Sequence, residues 1–234
     1  MDKYNVYQDM SRRTGGEIYL GIVGPVRTGK STFIKRFMEL VVIPEMADDN
    51  EKVRTIDELP QSADGKTIMT TEPKFIPKEA AVIHFSNQET GKIRLIDCVG
   101  YLVPEAVGAI EEEKERMVKT PWSEEEIPFS KAAEIGTSKV IREHSNLGLI
   151  ITTDGSFGDI PAVNFEEALQ KTVMECEKAG KPFLILVNTS RPDSQETIQF
   201  TKRLEVQYGK TVMAVNCKTM DREDVFRIME PLLA

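Results

Sequence analysis

Residues 24–32 read GPVRTGKST, the pattern G-x-x-x-x-G-K-[ST], and no other stretch narrows the choice of fold so far. The motif works only between a strand and a helix, because loop amides and the unpaired N–H groups of the helix N-terminus must converge on phosphate oxygens. Both flanks are present. EIYLGIV (17–23) is an apolar run of strand length, and 30–42 carries helical periodicity. Gly24 permits the tight turn out of the strand, and Gly29 lets backbone N–H groups face the phosphates. Lys30 is expected to reach the β- and γ-phosphates, and the Ser31 hydroxyl to ligate Mg²⁺. The expected phosphate cradle is therefore Gly24, Pro25, Val26, Arg27, Thr28, Gly29, Lys30, Ser31 and Thr32.

The remaining pattern extends this start into a fold class. AAVIHF (80–85) and KIRLID (92–97) flank a hairpin-type loop, and LGLIITT (147–153), PFLILVN (182–188) and TVMAVN (211–216) read as buried strands. Helical patterns lie at 30–42, 129–145, 164–179, 194–208 and 221–233. Continuous apolar strands alternating with helices predict an α/β protein, with a mainly parallel sheet covered on both faces and 80–97 supplying one antiparallel edge strand. Two polar stretches, near 44–66 and 104–128, interrupt the alternation as inserted loops in a single domain spanning 1–234. Trp122 lies in the second, either as an anchor for a partner or packed on its own domain.

Three further elements follow in an order that matters. RLIDCVG (94–100) ends a strand in D-x-x-G, so Asp97 would hold Mg²⁺ through water and the Gly100 N–H would contact the γ-phosphate. KTIMTTEP (66–73) occupies the place of a switch threonine, with Thr70 and Thr71 as equal candidates for metal and γ-phosphate contact. LILVNTSRPD (184–193) and VNCKT (215–219) stand where a base is read, which brings in Asn188, Asn216, Cys217 and Lys218. This order is that of a GTPase-like P-loop NTPase of the TRAFAC class.

Departures from that class decide the nucleotide. A guanine reader ends its strand in N-K-x-D, whose carboxylate accepts from guanine N1–H and N2–H₂. Here Thr189 replaces the Lys and Arg191 replaces the Asp, while Asp193 comes two residues late behind Pro192. An unmet hydrogen bond to a buried base costs about 1–3 kcal/mol, and Arg offers only donors. ATP is therefore expected in place of GTP. Tyr101 follows D-x-x-G where many GTPases carry a water-orienting Gln, so intrinsic turnover should be slow. Arg27 stands where cation-activated relatives carry Asn. Either its guanidinium replaces that monovalent ion as a built-in arginine finger, or it points to solvent.

Bulk properties limit the partners. A formal charge of −8 argues against charge-driven binding to nucleic acid or anionic lipid. Cys98, Cys176 and Cys217 form neither a C-x-x-C pair nor a His/Cys cluster, so no zinc site or disulfide framework is expected. No N-terminal segment reads as a signal peptide and the longest apolar runs are strand-sized, so a cytoplasmic chain without membrane insertion is expected.

From about residue 12 onward, RTGGEIYLGIVGPVRTGKSTFIKRFMELVV, DELPQSADGKTIMTTEPKF, RLIDCVGY, AAEIGTSKVIREHS and ITTDGSFGDI resemble the N-terminal domain of the stage IV sporulation protein A family, spore-coat morphogenetic ATPases of endospore-forming bacteria. The resemblance implies ATP hydrolysis with Mg²⁺, with Lys30 binding nucleotide, Asp97 in the metal and hydrolysis role, and Thr70 and Thr71 as sensors. It also implies self-assembly into a homopolymer, the coat basement layer on the forespore surface in the mother cell. Spore-coat proteins and a small membrane-bound anchor protein are implied as partners, the anchor through later family regions that this chain lacks. The residues also leave open a GTP-binding switch protein, and an interaction domain that binds nucleotide and barely turns it over.

Overall fold

The computed structural model describes residues 16–60, 72–84, 90–105, 110–111 and 114–233. Its centre is a six-stranded sheet. The strands are β1 (Glu17–Val23), β2 (Lys74–His84), β3 (Thr90–Asp97), β8 (Leu147–Thr153), β9 (Phe183–Asn188) and β10 (Val212–Val215), in the order β10-β9-β8-β1-β3-β2. β2 runs antiparallel to β3 at one edge, and the other pairings are parallel. The expected α/β class and the antiparallel edge strand are both borne out. The helices are α1 (Lys30–Phe37), α2 (Asp49–Glu58), α3 (Phe129–Lys139), α4 (Glu166–Ala179), α5 (Gln195–Tyr208) and α6 (Arg222–Leu233). α1 and α3 each continue into a π-helical turn, Met38–Val42 and Val140–His144.

The period of two along each strand divides the core into two layers. Leu149, Ile151, Leu184 and Leu186 pack with Phe33 and Phe37 of α1 and with Ile228 and Leu232 of α6. Their neighbours Ile150, Ile185 and Val187 pack on the other face with Leu169 and Val173 of α4 and Leu204 of α5. A strand sandwiched this way is apolar at every position, which is why these runs show no alternation in the sequence. All seven residues of β8 are buried.

Two stretches read as polar loops contain regular structure. Within 44–66, α2 begins at Asp48, whose side chain accepts from the Asn50 N–H at 2.8 Å. Asp49 and Glu51 occupy its first turn, where the helix dipole favours carboxylates. Within 104–128, β6 (Met117–Thr120) and β7 (Ser123–Pro128) form a hairpin, and β4 (Ile110–Glu111) pairs with β5 (Lys114–Glu115). Trp122 sits at the turn between β6 and β7, with the Lys139 ammonium of α3 5.9 Å from its ring centroid. It is thus packed on its own fold.

The parallel register aligns the carboxyl ends of the strands. Ile22 lies opposite Asp97, and Asn188 lies opposite both Thr153 and Val215. β1 is flanked by β3 on one side and β8 on the other, so the chain reverses its direction of strand addition there. Ligand crevices of open α/β sheets form at such a point.

Candidate nucleotide site at the carboxyl edge of the sheet

The loop leaving β1 is held open by glycines and by its own side chains. Gly24 has φ 130°, and a Cβ there would lie 2.3 Å from the Ile151 carbonyl oxygen. Gly29 has φ 95° immediately before α1, and a Cβ there would meet the Asn188 amide nitrogen at 2.3 Å. The buried Thr28 hydroxyl donates to the Pro25 carbonyl at 3.0 Å. Lys30 is buried, and its ammonium donates to the same carbonyl at 2.6 Å and reaches that of Gly24 at 3.4 Å. The lysine is therefore folded over the loop, with its ammonium hydrogen-bonded to loop carbonyls. Thr32 follows Ser31 in the first turn of α1.

Asp97, at the end of β3, lies beside this cradle. Its Oδ2 accepts from the Ser31 hydroxyl at 3.1 Å, while Oδ1 is buried without a hydrogen-bond partner. Burial raises the Asp97 carboxyl above its ordinary range, against the pull of Lys30 and the Ser31 hydroxyl. Burial likewise lowers Lys30, against the opposing influence of Cys98 and Asp97. Both groups are pushed toward neutrality, so the site disfavours its own charges as it stands. An orphaned carboxylate oxygen next to a hydroxyl is a fitting donor set for a hard divalent cation. Among the described residues no group of three or more His, Cys, Asp or Glu side chains could hold a metal, so such a cation would need ligand oxygens as well.

The segment after Asp97 lies against the loop. The Val26 N–H donates to the Tyr101 carbonyl at 2.9 Å, and Pro25 bridges to Tyr101 in parallel. Gly100 has φ 94°, and a Cβ there would lie 2.0 Å from the Gly24 oxygen and 2.8 Å from the Lys30 ammonium. The backbone of Gly100 thus lies against the cradle only because it has no side chain. Tyr101 is buried with Val26, Val103, Ile160 and Phe165, and it works as a packing residue beneath the loop. Arg27 is exposed and has φ 61°, the left-handed region that L side chains avoid. No hydrogen bond or ion pair engages it among the described residues. Thr70 and Thr71 lie outside the described residues.

On the side where a base would sit, Asn188 is the hub. Its amide donates to the Thr28 carbonyl at 3.0 Å, and its Oδ1 accepts from the Cys217 N–H at 3.0 Å. Asn216 accepts from the Lys218 N–H through Oδ1 at 3.0 Å and from the Met220 N–H through its carbonyl, closing a turn on which Lys218 is exposed. Cys217 is buried, and burial raises its thiol. The structure thus brings Gly24 to Thr32, Asp97, Gly100, Asn188 and 216–218 to one edge of the sheet.

Sequence reasoning passed over Asp154. It follows β8 directly, and its Oδ2 accepts from the Thr189 hydroxyl at 2.7 Å and the Thr197 hydroxyl at 3.4 Å. Its Oδ1 accepts from the Ser156 N–H at 3.0 Å. Burial works against the carboxylate, but the hydrogen bonds from Ser156 and Thr189 and the nearby Arg191 outweigh it and hold Asp154 below its ordinary range. Thr189 is fully buried, whereas Arg191 and Asp193 are exposed. The available signal was an Asp-Gly pair at a strand's carboxyl end, within the DGSFGD stretch at 154–159.

The family described as "Stage IV sporulation protein A, ATPase domain" matches residues 1–234. Stage IV sporulation protein A of Bacillus subtilis (strain 168) is 50% identical over 233 residues, covering 100% of this chain and 47% of that protein. The proteins of that name from Bacillus anthracis and Clostridioides difficile (strain 630) are 49% and 47% identical, over 100% and 98% of this chain and 47% of each relative. The chain therefore spans about half the length of these curated relatives. Among solved structures, two mutation variants of SsGBP align at TM-scores of 0.48 and 0.49 with 13% identity, covering 96% and 99% of this chain and 58% and 59% of theirs.

Proposed function

Given that the chain belongs to the stage IV sporulation protein A family and matches its ATPase domain, we propose that it binds ATP with Mg²⁺ and hydrolyses it to ADP and phosphate. The observation that carries this reading is the Ser31–Asp97 pair. The two groups meet at 3.1 Å beside the buried Lys30, with one carboxylate oxygen left unpartnered. In this reading Lys30 turns its ammonium from the Pro25 carbonyl to the β- and γ-phosphates, and the loop amides of 24–32 receive the remaining oxygens. Ser31 and Asp97 would hold Mg²⁺, which supplies charge neutralisation on the phosphates. Thr70 or Thr71 would serve as a further metal ligand and γ-phosphate sensor, and the Gly100 N–H would contact the γ-phosphate. Arg27, exposed and unpaired, supplies a further cation at the phosphates. With Tyr101 buried in its packing cluster, the attacking water is oriented by another group and turnover is slow.

Adenine follows from the base loop, where Arg191 stands in place of a carboxylate and Thr189 is buried. Asn188, Asn216, Cys217 and Lys218 frame the base side. At the level of the cell, hydrolysis drives self-assembly of a coat basement layer on the forespore surface during sporulation, from the mother-cell cytoplasm. Residues 1–234 act as one P-loop module, with spore-coat proteins and a small membrane-bound anchor protein as partners, the anchor through later family regions. Among the described residues no helix is long and apolar enough to cross a membrane.

Competition with labelled ATP tests the reading. ATP is expected to displace the label far better than GTP, and equal displacement would favour a GTP switch. Lys30→Ala is expected to lower ATP affinity by about a hundredfold, since it removes hydrogen bonds from a charged donor worth about 1.5–3 kcal/mol each.

A further inference from the structure

We propose that Asp154 is a positioning residue for the base-reading loop: its carboxylate latches Thr189 and Thr197, and so sets the backbone of Arg191 at the place where guanine readers carry their Asp. The inference rests on the nucleotide reading above and deepens it by naming what shapes the adenine side.

Successive residues at the end of β9 point in opposite directions. Asn188 reaches the phosphate loop through the Thr28 carbonyl, and Thr189 turns its hydroxyl the other way, onto Asp154 Oδ2 at 2.7 Å. A lysine in that position could lie across a base, whereas Thr189 is 0% exposed. The same hydroxyl oxygen then accepts from the Arg191 N–H at 3.2 Å. Carboxylate, hydroxyl and amide thus form a relay from β8 to the main chain of Arg191. Ser156 adds a second stitch, donating to Thr189 Oγ1 at 3.3 Å and accepting from the Ser190 N–H at 2.9 Å. Thr197, in the first turn of α5, donates to Asp154 Oδ2 at 3.4 Å and lies within 3.5 Å of Thr189 Oγ1. Two loops with no covalent proximity are thereby stitched together around one anion, and bonds to an ionised acceptor are the stronger kind. None of these contacts touches the phosphate cradle directly, so the latch should act on base affinity and not on phosphate affinity.

Equilibrium binding of ATP and of inorganic tripolyphosphate, each with Mg²⁺, separates the two. Thr189→Val keeps the side-chain shape and removes the hydroxyl. It is expected to weaken ATP about tenfold, the value of one lost hydrogen bond, and to leave tripolyphosphate within about twofold. Thr189→Ser is expected to restore ATP affinity, and Asp154→Asn to fall between. Unchanged ATP affinity in Thr189→Val, or equal losses for ATP and tripolyphosphate, would overturn the latch while leaving the nucleotide reading intact. Wild-type protein that bound neither ligand would overturn both.

Discussion

At the residue scale, the site is a place where burial and charge are in conflict. Asp97 is raised and Lys30 lowered, each chiefly by desolvation. The sign of the linkage follows. A carboxyl whose folded pKa lies above its unfolded value contributes stability below the unfolded value, and that contribution is lost as pH rises through the folded one. At neutral pH Asp97 therefore costs stability that a cation would return. Asp97→Asn is expected to raise the melting temperature of the ligand-free protein at neutral pH, with the gain shrinking in acid, and to abolish the further rise that Mg²⁺ and ATP give the wild type. Thermal melts with and without both ligands check this. A variant that melted lower than wild type without ligand would contradict the electrostatic account.

Asp154 is the opposite case. Its carboxyl is held low, so its contribution is present above its unfolded pKa and fades as pH falls through the folded value. The sequence reading weighed Arg191 and Asp193 as the residues that decide the base, and both are exposed. Thr189, weighed only as a missing lysine, is the buried one. A hydroxyl bonded to a carboxylate 35 positions away leaves no trace in local spacing. That is why this half of the site was not legible.

At the element scale, legibility followed burial. The parallel strands and the helices after 129 announce themselves through apolar runs and period, whereas the edge strand β2 was read only from 80 and begins at Lys74, with Lys74, Lys78, Glu79 and Val82 exposed along it. α2 did not, since only Thr55 is fully buried along it, while Val53 and Ile56 face solvent. Its start was nonetheless written in Asp48 and the acids after it, a capping signal without an apolar stripe. The β6–β7 hairpin was hidden by Glu124, Glu125 and Glu126 on an exposed strand. The segment that follows β3 was legible as D-x-x-G, and the structure adds its contact with the loop after β1. Gly100→Ala would put a methyl 2.0 Å from the Gly24 oxygen at a φ of 94°. The expected cost is about 2 kcal/mol or more by urea unfolding, together with loss of turnover. Retention of both stability and turnover would mean that this close approach does not persist in solution.

At the scale of the whole molecule, the parallel register brings the described candidate residues, 24–32, Asp97, Gly100, Asn188 and 216–218, to one edge of the sheet. The chain is about half the length of its curated relatives, so the assembly proposal is best put to the full-length protein. Sedimentation after incubation with ATP is expected to pellet most of the protein, and a non-hydrolysable analogue is expected to leave it in the supernatant. Equal pelleting with both would make nucleotide binding sufficient and remove hydrolysis from the assembly step.

Asn188 has one amide with two obligations, giving a hydrogen to Thr28 and taking one from Cys217. On the proposed nucleotide reading, the phosphate end and the base end of the crevice would therefore be linked through one side chain. A ligand that stiffens one loop also removes freedom from the other, so the affinities of adenosine and tripolyphosphate should not add up to that of ATP. The shortfall or surplus would measure what this single side chain transmits, and departure of either fragment should loosen the grip on its companion.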